Sequence, residues 1–204
     1  MIDSATEACS IALFDEAEFI AGDWQMLGRG HAEQLVPMIA QLTERGRAAR
    51  IVVDIGPGSF TGIRVGLAVA KALALAWRAE LKGYGAPALV GAIARETAGG
   101  EPIDVAMTGG HGQWFVQRFR DDGASLDDVA SLTPQQAAER STARVVAGSQ
   151  AEALATLRRG SVRAMPLWPD ARAYRLLRGE ALVADPRPAY GRAPDARLPV
   201  AAAK

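Results

Sequence analysis

The chain of 204 residues has one cysteine, Cys9, and two histidines, His31 and His111. One cysteine closes no internal disulfide and forms no metal-type spacing, which predicts a reducing compartment. The histidines stand far apart and neither belongs to an H-x-x-x-H pair, which argues against a dedicated metal site. Charge of a prevailing sign is missing as well: 23 basic residues balance 23 acidic ones. A protein that grips nucleic acid by itself needs an excess of Lys and Arg to neutralise phosphates, so that role is disfavoured. Long apolar runs are also lacking. The most apolar stretch, residues 63–77, is interrupted by Arg64 and Lys71 and falls short of the roughly 20 residues that cross a bilayer. No basic segment followed by an apolar run opens the chain, so a cytoplasmic protein without membrane contact is predicted. What is present suffices for a core. Apolar content of 49% excludes disorder, and the length accommodates one large domain or two lobes of about 100 residues each.

The most informative stretch is Gly56-Pro57-Gly58-Ser59-Phe60-Thr61-Gly62-Ile63-Arg64-Val65-Gly66. Before it, residues 50–55 (RIVVDI) are rich in β-branched aliphatics and read as a short buried strand. After it, residues 61–78 contain no proline and are rich in Ala, Leu and Val, so they read as a buried helix. A strand, a glycine turn and a helix N-terminus can form an anion site. The details argue against a nucleotide loop. No Lys-Ser or Lys-Thr pair follows the last glycine, and Thr61 stands where a dinucleotide fingerprint needs its third glycine. Ser59 and Thr61 would need a nearby base to act as nucleophiles; helix N-capping is the role expected of at least one.

Periodicity and punctuation place the remaining elements. Residues 9–14 and 19–26 read as strands joined by an acidic turn, Asp15-Glu16-Ala17-Glu18. Leu35, Met38, Ile39 and Leu42 follow helical spacing and predict an amphipathic helix over about 33–45, begun or kinked near Pro37. Residues 81–85 read as a strand and 87–97 as a helix, which completes a first lobe, residues 1–98. The second lobe, residues 99–204, starts with strands 103–107 and 114–119 around Thr108-Gly109-Gly110-His111-Gly112. A helix opened by Thr133 and Pro134 follows, then strand 145–147 and helices 150–158 and 170–177, with residues 200–204 expected to fray.

The segment GPGSFTGIRVGLAVAKALA, residues 56–74, is similar almost word for word to the hallmark segment of the TsaB (YeaZ) family. Residues 2–13 (IDSATEACSIAL) resemble that family's opening hairpin, and His31 with Leu35-Val36-Pro37-Met38-Ile39 resembles its first helix. Residues 188–196 (PAYGRAPDA) resemble its closing Pro-x-Tyr-x-Arg segment. The resemblance implies an α/β protein with the two-lobe actin-like ATPase (ASKHA) fold, mixed sheets flanked by helices. It also implies a non-catalytic partner in forming threonylcarbamoyladenosine on tRNA, at the adenosine beside the anticodon. The implied partners are the metal-containing TsaD-type transferase and, in a larger assembly, the TsaE-type ATPase. No catalytic residue, cofactor or metal is expected in this chain itself, and tRNA contact is expected only through the complex. Two departures stand out. Where relatives carry an Asp-Ala-Arg run and then Gly-Glu-Val-Tyr, this chain has Thr108-Gly109-Gly110 and Gly112-Gln113-Trp114-Phe115, without those charges. Only Met1 and Ile2 precede Asp3, so either the first strand is short or the native start lies upstream.

Asp3 stands where actin-like ATPases carry an acidic residue near nucleotide and metal; ordering the following turn is the alternative. Gly62, Gly66, Ala70 and Ala74 recur every four residues and form a flat ridge that another helix or a sheet can approach closely. The predicted partner surface joins this ridge to the first helix: His31, Leu35, Met38, Leu42, Phe60, Ile63, Arg64, Gly66, Leu67, Ala70, Lys71 and Ala74. The same surface would serve a homodimer of the free chain. From Arg140 onward 12 basic residues face 5 acidic ones, which reads either as a solvated surface or as a tRNA contact. Two rival functions remain: a stand-alone glycoprotease-like hydrolase, which lacks a nucleophile–base pair here, and an independent sugar kinase or ATPase, which lacks a second phosphate loop.

Overall fold

A computed structural model describes residues 1–191. The first lobe begins with β1 (Ile2–Asp3), β2 (Ala8–Asp15) and β3 (Glu18–Met26). It continues through α1 (His31–Gln41), β4 (Arg50–Asp54), α2 (Phe60–Trp77), β5 (Glu80–Tyr84) and α3 (Ala86–Ala98). The second lobe contains β6 (Ile103–Thr108), β7 (Trp114–Phe119), β8 (Ala130–Leu132), α4 (Pro134–Arg140), β9 (Val145–Ala147), α5 (Ala151–Leu157) and β10 (Arg163–Met165).

The two sheets repeat one plan. In the first, the order is β3-β2-β1-β4-β5; in the second, β8-β7-β6-β9-β10. In each, an antiparallel meander lies on one side of the central strand and parallel strands on the other. The parallel strands need crossover helices: α2 bridges β4 to β5, and α5 bridges β9 to β10. The two mixed sheets flanked by helices are the actin-like arrangement expected.

Alternation along the buried strands sends side chains to opposite faces. Ile51 and Val53 point to the layer of α1 and α2, where Leu35, Met38, Ile63, Leu67 and Ala70 complete the core. Val52 and Tyr84 point the other way, toward Leu89 of α3. Further residues of α3, Ala86, Val90 and Ala94, pack on Ile103, Val105 and Val145 of the second sheet. Helix α3 is therefore wedged between the lobes, while α4 and α5 cover the outer face of the second sheet.

The elements differ from the sequence reading at their ends. Helix α1 stops at Gln41, because Leu42 is extended and Glu44 and Arg45 adopt left-handed conformations (φ 51° and 55°) in a short 3-10 turn. Pro37 lies within α1. The segment expected as a helix over 170–177 is a 3-10 stretch, Ala171–Leu176, capped by Asp170, whose side chain accepts the Arg172 N–H. Three short strands, β8, β10 and β11 (Val183–Ala184), have no clear sequence signal. β1 is two residues long.

The chain returns to the first lobe near its end. The Trp168 indole donates to Glu7 Oε2 at 3.2 Å, and the Trp24 indole donates to the Pro169 carbonyl at 3.2 Å. The Ala171 N–H donates to Ser10 Oγ at 2.9 Å, and β11 adds antiparallel to β5. Residues 192–204, including Arg192, Asp195 and the tail expected to fray, lie outside the described residues.

Candidate partner surface and interlobe cleft

The glycine loop is a backbone-packing device. A Cβ on Gly58 would fall 2.0 Å from the Ala5 carbonyl oxygen, and one on Gly62 2.0 Å from that of Ser4. Glycine at both positions lets the helix start press onto the Ser4-Ala5 turn after β1. Ser59 caps α2, its Oγ accepting the Gly62 N–H at 3.2 Å, while its own N–H donates to Ala5 O at 2.6 Å. Ser4 Oγ donates in turn to Gly62 O at 2.9 Å. Two of the donors that an anion would use are spent inside the protein.

The small-residue ridge faces inward. Gly62, Gly66 and Ala70 are buried and Ala74 is partly buried; a Cβ on Gly66 would fall 2.5 Å from Ser4 Oγ and 3.6 Å from Val53. The ridge lets α2 lie close on β1 and β4, so in this fold it is closed to a partner. Of the other predicted surface residues, His31, Leu35, Met38, Ile63 and Leu67 are buried and Leu42 is half-buried, in the same layer. Phe60, Arg64 and Lys71 face outward.

The outward face of α2 runs Arg64, Ala68, Lys71, Leu75, at i, i+4, i+7, i+11, with Ala72 and Phe60 beside it. Leu75 is 83% exposed and Phe60 54%. Only five of the 18 residues of this apolar helix are buried. It is the one helix among the described residues long and apolar enough to cross a membrane, yet one face is fixed against its own sheet. Helix α1 packs alongside and adds exposed Val36, Pro37 and Ala40. The face is apolar with cations, since α2 contains no acidic residue.

At the loop end of this face the central and closing motifs meet. The Arg64 guanidinium lies 3.6 Å from the Phe60 ring centroid, and its Nε donates to the Tyr190 hydroxyl at 3.0 Å. The Phe60 and Tyr190 rings are 5.0 Å apart. The Ala189 N–H donates to Ile55 O at 2.8 Å, which holds the closing segment on the loop.

Between the lobes lies a cleft of about 370 Å³ lined by Thr6, Glu7, Ser59, Thr108, Gly109, Gly110 and Ser149, among others. Among the described residues its lining contains no Lys or Arg, and Glu7 is the one acid. Thr108 and Ser149 satisfy each other: Ser149 Oγ accepts the Thr108 N–H at 2.9 Å. His111 sits exposed at the tip of the β6–β7 turn with φ 59°.

Asp3 does not face this cleft. It is fully buried, accepts the Tyr84 hydroxyl proton, and orders the next turn through the Ala5 N–H at 3.4 Å. Asp54 lies beside it, its Oδ1 accepting the Gly56 N–H at 2.7 Å. Burial and the neighbouring Asp3 push the Asp54 carboxyl well above the usual carboxylate range; burial also raises Asp3. Asp54 Oδ2 is buried without a hydrogen-bond partner, and the same burial favours the protonated form of this carboxyl group. The cluster is sealed from solvent and acts on the fold. His31 is likewise interior, its Nε2 3.3 Å from the Ala8 carbonyl oxygen. Sequence reasoning missed Asp54, Tyr84 and Leu75.

Residues 25–169 match the family model described as TsaD: tRNA N6-adenosine threonylcarbamoyltransferase. The tRNA threonylcarbamoyladenosine biosynthesis protein TsaB of Escherichia coli (strain K12) is 37% identical over 94 residues, 44% of this chain and 39% of that protein. TsaB of Haemophilus influenzae is 37% identical over 78 residues, 36% of this chain and 33% of that protein. The match thus spans between a third and two fifths of these curated relatives. The solved structure of YeaZ from Pseudomonas aeruginosa superposes with a TM-score of 0.78 at 25% identity, over 93% of this chain and 97% of that one. The hallmark loop, the duplicated sheets and these likenesses agree, and the chain belongs to the TsaB/YeaZ family.

Proposed function

We propose that this chain is a non-catalytic subunit for threonylcarbamoyladenosine formation on tRNA, which binds and activates a TsaD-type transferase. The observation that carries this reading is the outward face of α2, an 18-residue apolar helix with five residues buried and cations at Arg64 and Lys71. Contiguous exposed apolar surface of this kind marks an interaction site. The names of the relatives, TsaB and the TsaD family, supply the reaction to which the surface belongs. The surface used is α2's Phe60, Arg64, Ala68, Lys71 and Leu75 with α1's Val36, and its cations match a partner carrying carboxylates around an apolar centre. A TsaE-type ATPase joins the larger assembly, in the cytoplasm, and tRNA is engaged through the complex. The interior ridge serves the helix that carries this face.

The test is co-purification with a TsaD-type transferase, followed by reconstituted tRNA modification with and without this chain. A stable complex whose activity requires the chain supports the reading. Modification that proceeds equally well without it, or no complex, overturns it.

A further inference from the structure

A second hollow between the lobes, of about 660 Å³, shares no lining residue with the cleft described above. Its walls are α3 (Ala88, Gly91, Ala92, Arg95), Phe119 of β7, the loop around Gly123, and the returning segment at Leu177 and Val183. Its volume is that of a small-molecule site, and its lining is mainly apolar with few polar groups, the usual composition of such sites. Ala88, Gly91 and Ala92 keep the wall thin, and Arg95 follows one turn on, on the same helix face.

Arg95 is what separates this hollow from an ordinary packing defect. Its Nε is buried and has no hydrogen-bond partner, and no described acidic side chain pairs with the guanidinium. The other cation of the wall, Arg178, is already engaged by Glu180 at 2.7 Å and by the Asp122 carbonyl. Asp128 lies on the exposed rim and makes no ion pair with Arg95. Only the Nε is shut off from water, since the side chain as a whole is partly exposed, and the guanidinium presents its donors in a fork that fits a carboxylate. Two acids in the same wall, Asp128 and Glu180, disfavour a multiply charged phosphate and leave room for a single negative charge.

We propose that this hollow binds a small organic monocarboxylate, whose carboxylate pairs with Arg95 and whose apolar body lies against Phe119, Ala88 and Leu177. The site is independent of the partner face on α2, so its failure leaves the partner reading untouched.

The probe is 3-phenylpropionate against the full chain, with 3-phenylpropanol as the uncharged control, read by calorimetric titration and by two-dimensional amide NMR. Saturable binding of the acid is expected, with amide shifts confined to α3, β7 and residues 120–129 and 176–184. The alcohol should bind at least about tenfold more weakly, the factor expected from losing a charge-assisted hydrogen bond. Arg95→Met, which keeps the stem, should weaken the acid to the level of the alcohol, and Ala88→Phe should block both. Should Arg95→Met fail to fold, the acid–alcohol comparison on the unmodified chain and the Ala88→Phe variant still decide. No saturable binding, equal binding of acid and alcohol, or shifts elsewhere overturns the proposal.

Discussion

Tyr84, at the end of β5, donates its hydroxyl proton to Asp3, at the end of β1, in a part of the core that solvent does not reach. With Asp54 at the end of β4, the three side chains join neighbouring parallel strands directly beneath the glycine loop. The position where an ATPase-like acid was anticipated has become a structural polar cluster. Its oxygens are consumed by Tyr84 and by the turn N–H of Ala5, with the Asp54 carboxyl group beside them.

The raised Asp54 carboxyl group predicts a pH dependence. Unfolded, both carboxyl groups ionise near pH 4. Folded, Asp54 holds its proton well above that value because of burial and Asp3. The folded state binds more protons, so the contribution to stability is full below about pH 4 and is lost as pH rises through the raised folded value. Asp54→Asn removes the titration; its amide can donate to Asp3 while its oxygen still accepts the Gly56 N–H. The variant should gain on the parent as pH rises from 5 to 8, by up to about 1.4 kcal/mol per pH unit. Urea unfolding of both proteins across this range measures it. A stability difference, variant minus parent, that stays constant or falls as pH rises would mean that Asp54 holds no raised proton in the folded state.

The pattern of what was legible follows from how each residue earns its place. Strand β4 and helix α2 were readable because β-branched runs and uninterrupted Ala/Leu/Val are local signals. Strands β8, β10 and β11, of two or three residues, form only because a neighbouring strand offers its edge. The return of the chain from Trp168 onward rests on single bonds to Glu7, Trp24 and Ser10, which leave no periodic trace. On α2 the sequence reading singled out the small-residue face, which the fold turns inward. Small residues at four-residue spacing permit close approach, but cannot tell a sheet of the same chain from another molecule. The opposite line, Arg64-Ala68-Lys71-Leu75, held the missing signal: charges at i and i+7 face solvent, so the leucine aligned with them is exposed too.

Two substitutions on α2 should therefore behave in opposite ways. Gly66→Leu drives a side chain into Ser4 Oγ and Val53, so it should lower the unfolding midpoint or yield insoluble protein, at a cost of about 1–3 kcal/mol or more. Leu75→Glu changes a residue 83% exposed, so stability should move by no more than about 0.5 kcal/mol, while binding of the TsaD-type transferase weakens at least about tenfold. Thermal unfolding and co-purification of each variant give both readouts. A Leu75→Glu protein that retains full binding would remove the outer face of α2 from the interface.

The same exposed face predicts self-association when the partner is absent. Apolar surface of this extent, with Val36, Phe60 and Leu75 each about half exposed or more, favours a symmetric pairing of α1 and α2 about a two-fold axis. Sedimentation should show a dimer for the chain alone, a monomer for Leu75→Glu, and a heterodimer once the transferase is added. A parent chain that stays monomeric at high concentration and still forms the heterodimer would eliminate the homodimer.

No side chain of this protein should carry out the chemical step. Ser59 spends its Oγ on the α2 cap, Asp3 is locked between Tyr84 and Ala5, and His31 is held against the Ala8 carbonyl. Neither Ser59 nor Thr61 is hydrogen-bonded to a basic side chain among the described residues, so the nucleophile–base geometry that covalent catalysis requires is not assembled there. Ser59→Ala, Thr61→Ala and His111→Ala should leave tRNA modification by the reconstituted system within a few fold of the parent, with Ser59→Ala costing about 1 kcal/mol of stability through the lost cap. Removing a true acid–base group typically slows a reaction about 10²–10⁴-fold. Single-turnover modification, measured with the complex shown intact by sedimentation, separates the two cases. A hundredfold loss in any of the three variants, with fold and assembly unchanged, would place that residue in the active site and make this chain part of the catalyst.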